Sequence, residues 1–66
     1  MASHDRTEIL TRFDTLPPGQ SFTVELGRDD TAYDVETGDT LLGPATVTYS
    51  WGEFPGTARR ALVEPL

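Results

Sequence analysis

Pro17-Pro18-Gly19 splits the chain into two parts that cannot belong to one element. Pro17 disfavours helical geometry at Leu16, Pro18 extends the restriction, and Gly19 offers a turn position, so a helix arriving from the N-terminal side must stop there. Before the triplet, Ile9, Phe13 and Leu16 stand at i, i+4 and i+7, the spacing of one helical face. Asp5 is placed to cap that helix, Glu8 follows three residues later as in a capping box, and Glu8 and Arg12 are spaced for an i,i+4 ion pair. The expectation is a helix over residues 5–16, a corner at 17–19 and a β-rich remainder over 21–64. Two adjacent prolines supply less than one turn of polyproline helix, so the triplet reads as a corner and not as a recognition motif.

After the corner the period changes to two. In S-F-T-V-E-L, Phe22, Val24 and Leu26 fall on one side and Thr23 and Glu25 on the other, the pattern of a half-buried strand. G-R-D-D at 27–30 has turn chemistry, and T-A-Y-D-V-E-T alternates again with Tyr33 and Val35 opposite Asp34 and Glu36, which together predict a hairpin. T-G-D-T makes a second turn, Leu41 and Leu42 are expected to plug the end of the core, and Pro44 marks a loop, an edge or a strand start. A-T-V-T-Y-S-W at 45–51 predicts a strand with Val47, Tyr49 and Trp51 on one face. The segment T-A-R-R-A-L-V-E-P-L fits a helical turn or a final strand, and the strand is preferred because it completes the sheet.

These elements describe one domain over residues 1–66, without internal repeat. The fold class expected is α+β: a short N-terminal helix on an antiparallel sheet of about four strands, with a small SH3-like barrel as the alternative. A chain of 66 residues buries apolar surface only marginally, and without cysteine it has no disulfide or thiolate cluster to compensate. Self-association, a partner or the solvent is the remaining source of support.

Eleven acids against five arginines and no lysine leave a net charge of −6, which opposes binding to a phosphate backbone. Nucleic acid is therefore a disfavoured partner. No apolar run reaches the ~20 residues needed to span a bilayer, and the N-terminus lacks the features of a signal peptide, so a cytoplasmic location, or one within a virion or other assembly, is expected. The acidic, lysine-free composition also fits a high-GC or halophilic source.

Asp29, Asp30, Asp34, Glu36 and Asp39 supply enough oxygens to raise a calcium or magnesium site, but their order is not that of an EF-hand loop, and the reading is an acidic surface made of Asp29, Asp30, Asp34 and Glu36 with no metal. Ser3, Ser21 and Ser50 have no neighbouring base and His4 stands near the terminus, so no catalytic residue, cofactor site or enzymatic activity is expected. Aromatic stacking of nucleic acid, as in small barrels, would need a basic groove beyond Arg59 and Arg60, or convergence of these two with Arg12 and Arg28. The function expected is non-enzymatic: a small acidic protein-interaction module belonging to a larger assembly, with an acidic mimic of nucleic acid as an alternative. Phe54, in a G-E-F-P-G turn, is the foremost partner contact, with Trp51, Arg59, Arg60 and a sheet edge beside it.

The run F-D-T-L-P-P-G-Q-S-F-T-V resembles the helix-to-strand passage of small domains of the TusA-like superfamily. It covers about a fifth of the chain. Those domains continue into a proline-containing acidic segment that opens a second helix, where this chain has G-R-D-D-T-A-Y-D-V-E; they also place a strand before the first helix, and their cysteine has no counterpart here. The resemblance implies the corner geometry and carries no function.

Overall fold

Asp5 caps the helix through its side chain: it lies in extended geometry, and its Oδ1 accepts the Glu8 backbone N–H at 2.9 Å. The computed structural model describes residues 3–17, 19–52 and 58–66. Helix α1 spans Arg6–Asp14, two residues shorter than expected at its C-terminal end. There the backbone tightens, with Thr15 N–H donating to the Arg12 carbonyl and Leu16 N–H to that of Phe13, as the restriction imposed by Pro17 requires. The corner closes with Gln20 N–H donating to the Pro17 carbonyl at 3.2 Å, and Gly19 takes a φ of 74°, a conformation that a residue with a Cβ rarely adopts.

Among the described residues the strands are β1 (Ser3–His4), β2 (Ser21–Leu26), β3 (Thr31–Tyr33), β4 (Thr40–Leu42), β5 (Ala45–Trp51) and β6 (Arg59–Pro65). They form two three-stranded sheets, ordered β1-β3-β4 and β2-β5-β6, and close into no barrel. The fold class is small α+β as expected, with the strands divided between two sheets instead of about four strands in one. The final segment is the expected strand.

The largest departure from the sequence reading is at G-R-D-D. β2 does not return on β3 as a hairpin; it pairs with β5, Leu26 against Ala45, while β3 pairs with β4, Thr31 against Leu42. The two pairs are consecutive stretches of one antiparallel ribbon, interrupted where residues 27–30 oppose only 43 and 44. The extra residues bulge and re-aim the ribbon into the second sheet. Asp30 stabilises the bulge by accepting the Gly27 N–H at Oδ2 (2.6 Å), and its own carbonyl accepts the Gly43 N–H at 3.0 Å. The crossing is so close that a Cβ on Gly43 would lie 1.9 Å from the Gly27 carbonyl oxygen, so glycine is required there.

β3 ends at Tyr33, and Asp34 opens a turn where alternation predicted continued strand. Its Oδ1 accepts the N–H groups of Glu36 (2.8 Å) and Thr37 (3.2 Å), and its backbone bonds to Asp39 and Gly38. β1 was not foreseen: Ser3 and His4 pair in parallel with Thr31 and Ala32. A two-residue strand has no period to read.

The core lies between α1 and the inner face of the β2-β5-β6 sheet. Ile9 and Phe13 from the helix meet Val24, Leu26, Ala32, Val47 and Tyr49, all buried. Phe13 is its aromatic centre, edge-on to Phe22, Tyr49 and Trp51 at centroid distances of 5.4, 6.1 and 5.1 Å. Leu41 packs against this core, whereas Leu42 turns outward and is 71% exposed, correcting the expectation that both would plug it.

Candidate functional site

β6 alternates, and its register against β5 decides where each side chain goes. Arg59 and Ala61 lie opposite Trp51 and Tyr49 and face the helix side, while Arg60 and Leu62 lie opposite Ser50 and Thr48 on the outer face. The two neighbouring arginines are therefore separated by the sheet. The Arg59 guanidinium sits over the rings of Trp51 and Phe13, at 5.3 and 5.7 Å from their centroids. Its Nε is buried without a hydrogen-bond partner.

Arg12 belongs to the same aromatic cluster, its guanidinium 5.5 Å from the Phe22 centroid, and the expected Glu8–Arg12 pair is replaced by one between Glu8 and His4 Nδ1. Arg28 lies in the bulge, so the four arginines do not form a single basic face. Trp51 is half-buried, and its indole N–H donates to the Leu16 carbonyl at 3.1 Å, fastening the end of β5 to the corner. Phe54, the foremost contact named from the sequence, lies outside the described residues.

Most of the acidic surface is engaged with backbone. Asp30 and Asp34 organise the bulge and the β3–β4 turn, as described above. Glu36 reaches across from that turn, and its Oε1 accepts the Ala61 N–H of β6 at 3.1 Å. Asp29 is exposed in the bulge. Among the described residues no three His, Asp or Glu side chains come together as a metal site.

The ionisation of Tyr49 is strongly shifted. Burial, reinforced by the negative charges of Asp34 and then Glu8, pushes its phenol up to about 12, and the hydroxyl donates to the Tyr33 carbonyl at 2.7 Å. A neutral, hydrogen-bonded phenol in the core is a structural tie between the two sheets.

The outer edge of β6 remains. Gly52 N–H donates to the Ala58 carbonyl and Leu66 N–H to that of Pro44, so even-numbered residues of β6 turn their peptide groups toward β5. Odd-numbered residues turn theirs outward, as the Ala61 N–H to Glu36 attests. Val63 therefore presents a free N–H and C=O, and Pro65 stands where it has no N–H to present. Four large apolar side chains are exposed among the described residues, and three belong to β6 or follow it: Leu62 (60%), Val63 (37%) and Leu66 (83%). A groove of about 620 Å³ runs beside the first half of this edge, lined by Val35, Glu36, Ala58, Arg59 and Arg60.

Leu62, Val63 and Leu66 were not named from the sequence. Their signal was the A-L-V-E-P-L ending, apolar on successive positions and therefore apolar on both faces of a strand. Among the described residues no helix is long and apolar enough to cross a membrane. Comparison with family models, with curated proteins and with solved structures finds no match to this chain.

Proposed function

We propose that the protein is a non-enzymatic, acidic protein-interaction module, a subunit or accessory piece of a larger assembly, and that β6 is its contact edge. The observation carrying this reading is the coincidence of unpartnered outward peptide groups at Val63 with exposed apolar side chains at Leu62 and Val63 on the same strand and at Leu66 just after it. Strand addition uses both: main-chain hydrogen bonds hold the incoming chain, and alternating side chains select it. The acids support the same reading, because Asp30, Asp34 and Glu36 serve as acceptors for backbone N–H groups and so act as structure.

Val63→Pro tests the edge. The Val63 N–H points away from β5, so proline there removes an outward donor and leaves the β5–β6 bonds in place. Capture from the source cell is run with the wild-type chain and with Val63→Pro, after thermal unfolding has confirmed that both fold. Proteins retained by the wild type, including untagged copies of the chain, are expected to be lost from the variant. Identical captured sets would overturn the reading.

A further inference from the structure

The partner that the β6 edge fits best is a second copy of the same chain. We propose that two molecules pair β6 to β6 in antiparallel fashion, with Leu62 on the two-fold axis, to make one six-stranded sheet. This rests on the reading of β6 as a contact edge and names its occupant.

The register follows from the residues. Outward peptide groups belong to odd-numbered positions, so odd must pair with odd across the axis. With Leu62 on the axis, Ala61 of each copy faces Val63 of the other, and Arg59 faces Pro65. Ala61 and Val63 exchange N–H and C=O groups. Arg59 N–H meets a Pro65 carbonyl, and because Pro65 has no N–H to return to the Arg59 carbonyl, the ladder ends at that pair. The same register sets Arg60 of each copy opposite Glu64 of the other, giving two cross-strand ion pairs that flank the two apposed Leu62 side chains on the outer face. Shifting the axis to Ala61 or Val63 sets Arg60 against Leu62 or against Leu66, and both pairs are lost.

The surroundings accommodate this strand. The groove lined by Val35, Glu36, Ala58, Arg59 and Arg60 borders the half of β6 that Glu64, Pro65 and Leu66 of the second copy would face. Glu36 occupies the Ala61 N–H in the single chain and must release it on pairing. The other edge offers no comparable fit: β2 exposes Ser21, Thr23 and Glu25, with no exposed apolar side chain and no basic residue to meet Glu25. Because the contact is self-complementary about a two-fold axis, pairing closes at two copies.

Charge reversal reads the register directly. Arg60 and Glu64 are both exposed, so Arg60→Glu and Glu64→Arg leave the core untouched. Sedimentation equilibrium is expected to find the wild type dimerising. Each single variant should dimerise about tenfold or more weakly, since each places like charges opposite one another twice. A mixture of the two single variants should recover wild-type affinity as a heterodimer, as should the double variant Arg60→Glu/Glu64→Arg. Glu36→Ala should tighten dimerisation by freeing the Ala61 N–H. A dimer indifferent to the single reversals, or reversals whose mixture does not recover, overturns the proposed pairing. A wild type that stays monomeric up to its solubility limit overturns the dimer. If Val63→Pro still strips a different protein from that monomer in capture, the contact-edge reading survives without it; if the captured sets are unchanged, both fall.

Discussion

Replacing Tyr49 with phenylalanine deletes one oxygen whose surroundings differ between the folded and unfolded chain. In the folded protein the phenol is buried, donates to the Tyr33 carbonyl, and ionises only near about 12, against 10.0 in an exposed tyrosine. The folded pKa is raised, so the unfolded chain loses its proton first. The stability associated with the protonated phenol is fully present below pH 10.0 and declines as pH rises through the window to about 12. A rise from 10.0 to about 12 sets the total loss at roughly 3 kcal/mol. At neutral pH the substitution removes a buried hydrogen bond and leaves the Tyr33 carbonyl without that donor, which costs about 1–2 kcal/mol.

The two stability curves are therefore expected to cross. Wild type is the more stable at neutral pH, and Tyr49→Phe becomes the more stable before about pH 12, because it has no phenol at that site to lose. This chain suits the experiment. It contains no lysine and no cysteine, so its alkaline side-chain titration belongs to two tyrosines, and Tyr33 is common to both proteins. Urea unfolding followed by circular dichroism at a series of alkaline pH values gives the curves, and tyrosinate absorbance follows the ionisation itself. Curves that stay parallel across the window would refute the argument that burial and the neighbouring carboxylates hold the Tyr49 phenol neutral.

Gly43→Ala should destabilise the fold by about 3 kcal/mol or more, because the new methyl group collides with backbone at Gly27 and separating the two segments breaks the Gly43–Asp30 bond; a melting temperature unchanged from wild type would contradict the bulge geometry. Trp51→Phe should lower stability by about 1–2 kcal/mol through loss of the indole bond to Leu16 and of ring area under Arg59. Denaturant unfolding read beside sedimentation equilibrium checks this, since a fold as stable as wild type with weakened self-association would move Trp51 from the core to the contact surface.

What the sequence made legible was whatever depends on neighbours in the chain. Asp5 as a cap, the stop before Pro17, and the faces of β2 and β5 all follow from spacing within a few residues, and they stand as read. Partner choice did not follow. G-R-D-D announces a change of direction, but whether the chain returns on β2 or continues as a bent ribbon depends on the close passage of Gly27 and Gly43, two segments distant in sequence. The acids were legible as charge and not as acceptors, because a carboxylate that holds a backbone N–H looks the same in a sequence as one that faces water. Arg59 and Arg60 were named together as a contact, and the strand places them on opposite faces, a consequence of period two once that segment is a strand.

The same logic explains why β6 is the edge that can be used. An exposed strand edge is a hazard unless something limits what may pair with it. On β6 the limits are local and do not run across the whole strand: Pro65 withholds a donor at one end, and Glu36 occupies the Ala61 N–H until an incoming strand displaces it. Between them Val63 is free, and Leu62 stands between an arginine and a glutamate that a second copy would meet in reverse order. A marginal core, a net charge of −6 that keeps copies apart at long range, and one short edge whose local charges attract only in a single register are mutually consistent. Together they favour a specific, closed contact over open-ended strand stacking, because any other register of β6 on β6 loses both ion pairs while retaining the long-range repulsion.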